Sequence, residues 1–155
     1  YHDVTRELSD ARRMHEALFP PPITRGPVRV EYCYEPAMQI GGDFVFIHVP
    51  TPPENSSPEP VMIPDPEPAP VSIVLIDVTG HGVTAALAVN RLFGELERTF
   101  ALTPDASPGQ VLSALNQFTG ALLATKGIYA TAFCMRVEPG PRTGGTGEIG
   151  SVRVR

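Results

Sequence analysis

Val71-Ser72-Ile73-Val74-Leu75-Ile76 runs without a break into Asp77-Val78-Thr79-Gly80-His81-Gly82 and then into a stretch of small residues that holds Ala85, Ala86 and Ala88. The first six residues are almost wholly apolar and β-rich, as expected of a buried strand, and they deliver Asp77 to its C-terminal end. After Gly82 the period becomes helical. Val89, Leu92, Phe93, Leu96 and Phe100 share one face, and the alanines let the start of that helix lie close to a sheet. A carboxylate that leaves a strand beside a tight glycine turn at the head of a helix suits a metal together with an anion.

Working outward, Gly41-Gly42-Asp43 stands at the head of Asp43-Phe44-Val45-Phe46-Ile47-His48-Val49, which reads as a strand. Val28-Arg29-Val30-Glu31-Tyr32-Cys33-Tyr34 alternates and reads as another. If Asp43 faces the same point as Asp77, two carboxylates share a site and repel unless a cation lies between them. Magnesium and manganese take oxygen ligands of this kind and leave room for substrate phosphate. Downstream, Ser107-Pro108-Gly109-Gln110 is a capping box with proline at the first helical position, followed by an apolar face of Val111, Leu115, Phe118 and Leu122. Tyr129 to Val137 returns to strand, Pro139 to Gly147 is a turn, and Glu148 to Arg155 begins a last strand. The order ββ, β, α, α, β, β predicts an α+β domain with helices on a mostly antiparallel sheet.

At the N-terminal end, Val4, Leu8, Ala11, His15 and Leu18 mark the seam of a helix that packs on another helix, with Arg6, Glu7, Asp10 and Arg13 off the seam. It is expected to stop at Pro20-Pro21-Pro22, and residues 1–22 read either as a linker or switch helix, arriving from an upstream segment and able to pair in a homodimer, or as an ordinary terminal helix docked on its own domain. Residues 23–155 then form the main domain. Its Pro50–Pro70 stretch holds nine prolines and four acids with no Lys or Arg, and reads as an exposed insertion between strands.

The formal net charge of −5 argues against a nucleic-acid-binding surface, which needs clustered cations. No apolar run approaches the roughly 20 residues that span a bilayer. With a charged N-terminus in place of a leader, the expectation is a soluble, cytoplasmic protein. Cys33 and Cys134 lie in apolar alternating stretches and read as buried free thiols.

Several motifs in order resemble one family. Leu18-Phe19-Pro20, Pro36-Ala37-Met38-Gln39-Ile40-Gly41-Gly42-Asp43, Asp77 to Gly82 with Ala85 and Ala86, and Tyr129-Ala130-Thr131-Ala132 resemble the metal-dependent PPM-type serine/threonine phosphatases, in the bacterial branch of sporulation stage II E and RsbU. The resemblance implies an αββα sandwich of antiparallel sheets flanked by helices, with two Mn2+ or Mg2+ ions in the cleft. It assigns Asp43 and Asp77 as metal carboxylates, the Val78 carbonyl as a further ligand, and His81 as a catalytic candidate. Thr131 is expected to support the sheet, and His15 and His48 carry no assigned chemistry. The implied substrate is phosphoserine or phosphothreonine on a regulatory protein such as an anti-sigma-factor antagonist, under control of an upstream sensor.

Three departures accompany the resemblance. The second acid that usually follows Gly-Gly-Asp is replaced by Phe44-Val45-Phe46, the Pro-rich insertion is long, and the later metal-binding aspartates would have to follow Val152-Arg153-Val154. The domain is therefore expected to be incomplete at the C-terminus, a piece of a phosphatase with about half a metal site. The alternative is a non-catalytic phosphatase-fold binding module. A diguanylate cyclase signature does not fit, because Gly41-Gly42-Asp43-Phe44 lacks the acid that motif places between Asp and Phe.

Overall fold

A computed structural model describes residues 2–24, 28–36, 40–50, 69–140 and 152–154. The Pro-rich insertion and the glycine-rich turn before the last strand fall almost entirely outside the described residues. In chain order the elements are α1 (His2–Glu16), β1 (Asp43–His48), β2 (Val71–Val78), α2 (Val83–Leu102), α3 (Pro108–Phe118), β3 (Ala130–Pro139) and β4 (Val152–Val154). The four strands form one antiparallel sheet in the order β1-β2-β3-β4. The two helices between β2 and β3 cover one of its faces.

Strand alternation decides which side chains meet those helices. Phe44 and Phe46 of β1, Val74, Ile76 and Val78 of β2, and Cys134 of β3 are buried in a core with Ala88, Val89, Leu92, Leu96 and Phe100 of α2 and Val111 and Leu115 of α3. Phe46 stacks on Phe100 at a centroid distance of 5.7 Å, while Phe93 meets Phe44 and Phe46 edge-on. Each such side chain contributes roughly 1.5–3 kcal/mol by leaving water. Phe44 and Phe46 occupy the place where a second acid was looked for, and both point into this core. The opposite face carries Leu75 and Phe133, which remain 47% and 55% exposed.

The helix starts behave as the sequence predicts. Ser107 Oγ accepts from the Gln110 amide at 3.3 Å, Gln110 Oε1 accepts from the Ser107 amide at 2.8 Å, and Pro108 opens α3. Its end does not. Residues Thr119–Leu123 form a π turn, followed by a 3-10 turn at Ala124–Lys126. The wider turn admits one extra residue, so the buried position after Leu115 is Leu123, at 2% exposure, while the predicted Leu122 is 45% exposed.

Two further expectations are corrected. Among the described residues Val28–Tyr34 is not a strand of the sheet, and its one pairing there is a bridge of Ile23 with Val30, with N–H to O distances of 2.9 and 3.0 Å. Its alternation serves side-chain anchoring instead, since Tyr32 donates its hydroxyl to the Pro20 carbonyl and Tyr34 meets the Gly41 amide. Cys33 is accordingly exposed. Cys134 is buried, which pushes its thiol up to about 11, and both cysteines are free.

At the far end of the covered face, His48, Ser72 and Arg136 are consecutive partners across β1, β2 and β3. His48 stacks on Phe100 at 4.2 Å, with a ring nitrogen 3.1 Å from the Pro104 carbonyl, and Arg136 bonds Asp105 at 2.8 Å. The sheet thereby grips the link between α2 and α3 at two points. Burial lowers the pKa of both His48 and His15, so the folded chain prefers neutral rings. Their stabilisation is complete above the ordinary histidine value of 6.5 and is lost as pH falls through the lowered folded values. Melting temperature should therefore drop between about pH 7.5 and about pH 5.5, and drop less steeply in His48→Phe, which keeps a ring against Phe100. A His48→Phe slope equal to that of the unmodified chain would refute the assignment.

Candidate metal and phosphate site

Asp43 is the first residue of β1 and Asp77 the penultimate residue of β2, and the register makes them direct cross-strand partners. Thr131 of β3 is the partner of Asp77 on its other side. Cross-strand partners project to the same face, with Cβ atoms roughly 4.5–5.5 Å apart. Asp43, Asp77 and Thr131 thus form one exposed polar row across the end of the sheet, on the face away from α2 and α3. Thr131 lies beside the acids in this row.

What brings the two strands so close is the absence of a side chain. A Cβ on Gly42 would run into the carbonyl oxygen of Val78, and the Val78 amide donates to the Gly42 carbonyl at 3.1 Å. Only glycine permits this approach of backbone to backbone. The Val78 carbonyl therefore stands against the residue that precedes Asp43, while the Val78 side chain is in the core.

Beyond Val78 the chain turns through Gly80 and Gly82, and His81 between them is exposed. Gly82, at φ 75° and ψ −156°, is the residue before α2, and its amide donates to the Ile40 carbonyl at 3.1 Å. That backbone region belongs almost solely to glycine. No side chain caps the start of α2.

Thr79 has a role the sequence did not announce. Its amide and hydroxyl donate to the Tyr129 carbonyl at 2.9 and 3.1 Å, and its hydroxyl accepts from the Tyr129 amide at 3.0 Å. The β2–β3 ladder is thus carried past its last paired residues. A hydroxyl residue next to the glycine turn was the sole available signal, and turns use Ser and Thr in many other ways. Along the same face, Tyr32, Cys33 and Tyr34 join Asp43, Leu75, Asp77 and Phe133 around a cavity of about 410 Å³.

Two carboxylates side by side on one sheet face, with the carbonyl of Val78 on the residue after Asp77, are hard oxygen donors of the kind magnesium and manganese accept, because both ions keep several waters. Among the described residues no group of three or more His, Cys, Asp or Glu converges. The donor set fits such an ion in chemistry and would supply part of its shell.

Residues 67–150 match the family of Stage II sporulation protein E, SpoIIE, a stretch that begins just ahead of β2 and takes in α2, α3 and β3. The chain belongs to the SpoIIE family. It is thus a member of the PPM-type phosphatase class in its SpoIIE branch. Among solved structures, the SiaA PP2C domain of Pseudomonas aeruginosa superposes with a TM-score of 0.56 at 16% identity, over 88% of this chain and 48% of that one. The fold is that of a PP2C domain, and the chain spans about half the length of this relative. No curated protein sequence matches. Asp77, Val78 and His81 lie inside the SpoIIE match, whereas Asp43 precedes it and joins them through the β1–β2 pairing.

Since Gly42 touches Val78 without a Cβ, Gly42→Ala should force β1 away from β2 at its first residue. A loss of about 1–3 kcal/mol is expected in urea unfolding, the size of other overpacking substitutions. Gly94→Ala, where a Cβ would meet nothing within 4 Å, should leave the midpoint at or above that of the unmodified chain. Equal midpoints for the two variants would remove the close-approach argument.

Proposed function

We propose that this chain is the part of a metal-dependent protein serine/threonine phosphatase that contributes Asp43 and Asp77 to the metal centre. The observation that carries this reading is the cross-strand pairing of the two acids at one end of the sheet. In a sheet evolved for stability alone, like charges directly opposite each other are unfavourable. A cation between them turns the repulsion into attraction. Membership of the SpoIIE family supports the choice of phosphate ester as substrate.

Manganese or magnesium bound here would supply Lewis acidity toward water and offset charge on a phosphoryl group. The residues of the chain have separate tasks. Asp43 and Asp77 hold hard cations through their oxygens, and the Val78 carbonyl adds a neutral donor next to them. The turn from Thr79 to Gly82 sets the distance from Asp77 to the start of α2. His81, which is exposed in that turn, is our candidate for exchanging a proton with a leaving serine or threonine oxygen. A complete shell for such an ion needs oxygen ligands beyond these three.

The substrate in this proposal is phosphoserine or phosphothreonine of a cytoplasmic regulatory protein, with an anti-sigma-factor antagonist as the specific candidate. Control passes from an upstream sensor through α1, which can also pair two chains. A manganese titration of phosphoserine-peptide hydrolysis tests the chemistry, run on this chain and on a longer chain that matches the SiaA domain in length. Activity should be greater in the longer chain. Asp77→Asn should lower it by more than about a hundredfold, since even residues that only support metal ligands are worth ten- to a hundredfold. Inactivity of both lengths at saturating manganese would favour the non-catalytic binding module.

A further inference from the structure

His15, Tyr34 and Gly41 form a continuous line from α1 to the turn that carries Asp43. His15 lies in the last turn of α1 and is only 4% exposed. Its Nε2 lies 3.5 Å from the Tyr34 hydroxyl, and its Nδ1 is buried with no hydrogen-bond partner among the described residues. The Tyr34 oxygen in turn accepts from the Gly41 amide at 3.3 Å. A Cβ on Gly41 would stand 3.0 Å from that same oxygen, so the phenol fills the space above this glycine.

Ring packing holds the line in place. Phe19, which follows α1, lies 4.4 Å from Tyr34, 5.6 Å from His15 and 5.5 Å from Phe44, and Phe44 is the residue after Asp43. Phe44 then meets Phe93 of α2 at 5.9 Å. Gly41 and Phe44, the two residues that bracket Gly42-Asp43, thus each touch a residue, Tyr34 or Phe19, whose ring lies against His15 of α1. Burial keeps the His15 ring neutral, with one donor and one acceptor nitrogen. With its oxygen engaged by Gly41, Tyr34 can direct its own proton at Nε2, and the donated O–H strengthens the same oxygen as an acceptor.

We propose that Tyr34, backed by His15, is a positioning residue for the Gly41-Gly42-Asp43 turn, so that the seating of α1 sets where the Asp43 carboxylate stands. This rests on the reading of Asp43 as a metal carboxylate. It gives α1 a physical route to the site: displacement of the helix withdraws His15 and Phe19 and leaves the Gly41 amide without a fixed acceptor.

Tyr34→Phe removes one oxygen and keeps the ring, and His15→Phe keeps the packing but not the nitrogen. Two readouts apply to each: amide hydrogen exchange at Gly41 by NMR, and Mn2+ affinity by electron paramagnetic resonance. Tyr34→Phe should speed Gly41 exchange and weaken Mn2+ binding by about three- to tenfold each, as for the loss of one hydrogen bond. His15→Phe should act in the same direction by a smaller factor. Ser107→Ala, which removes the α3 cap, should lower the melting temperature while leaving both readouts unchanged. Gly41 exchange in Tyr34→Phe within about twofold of the unmodified chain would overturn the proposal, as would an equal effect of Ser107→Ala. Absence of Mn2+ binding in the unmodified chain would sink the metal reading, and Gly41 exchange would still decide the positioning.

Discussion

The register of β1 against β2 is the constraint on which the rest of this structure depends. Pairing Asp43 with Asp77 does two things at once: it sends Phe44 and Phe46 into the core beneath α2, and it sets two carboxylates side by side on the other face. A slip of one residue would reverse both, exposing the phenylalanines and burying the acids. Hydrophobic burial on one face thus enforces a charge arrangement on the other that would not assemble by itself. Gly42, tight against the Val78 carbonyl, marks a point where backbone meets backbone with no room for a side chain.

Opposite ends of the sheet are built for different purposes. One end carries the exposed row of Asp43, Asp77 and Thr131, with glycine turns around it and a helix start that no side chain caps. At the other end, His48, Ser72 and Arg136 make a row turned toward the helices, and the link between α2 and α3 is tied down through Pro104 and Asp105. Bonds that immobilise the helical layer are thereby kept away from the acids. Near the acids, backbone approaches and the Thr79–Tyr129 bonds provide the rigidity instead, leaving the carboxylate oxygens available.

Much was legible in the chain because it is local. The apolar run before Asp77, the helical period after Gly82 and the capping box at Ser107 are each decided within a few residues, and each appears where the pattern puts it. The SpoIIE family match likewise covers one continuous stretch, residues 67–150, which holds the Asp77 to Gly82 motif. Val28–Tyr34 misled for an instructive reason. Its β-formers alternate because Val30 pairs with Ile23 and the tyrosines reach for Pro20 and Gly41, so the side chains are placed as in a strand, with no neighbouring strand among the described residues.

By itself, then, the sequence determined the strand, turn and helix around Asp77, the class of fold and the candidacy of Asp43, since hydrophobic period and glycine chemistry act over short distances. Only the tertiary structure decided that Asp43 and Asp77 are direct partners, that Leu123 and not Leu122 closes the end of α3, and that His15 reaches Gly41 through Tyr34. Each of these depends on contacts between residues far apart in the chain or on a single inserted residue in a helical turn. Their energies are settled by packing across the whole core, which no local pattern encodes.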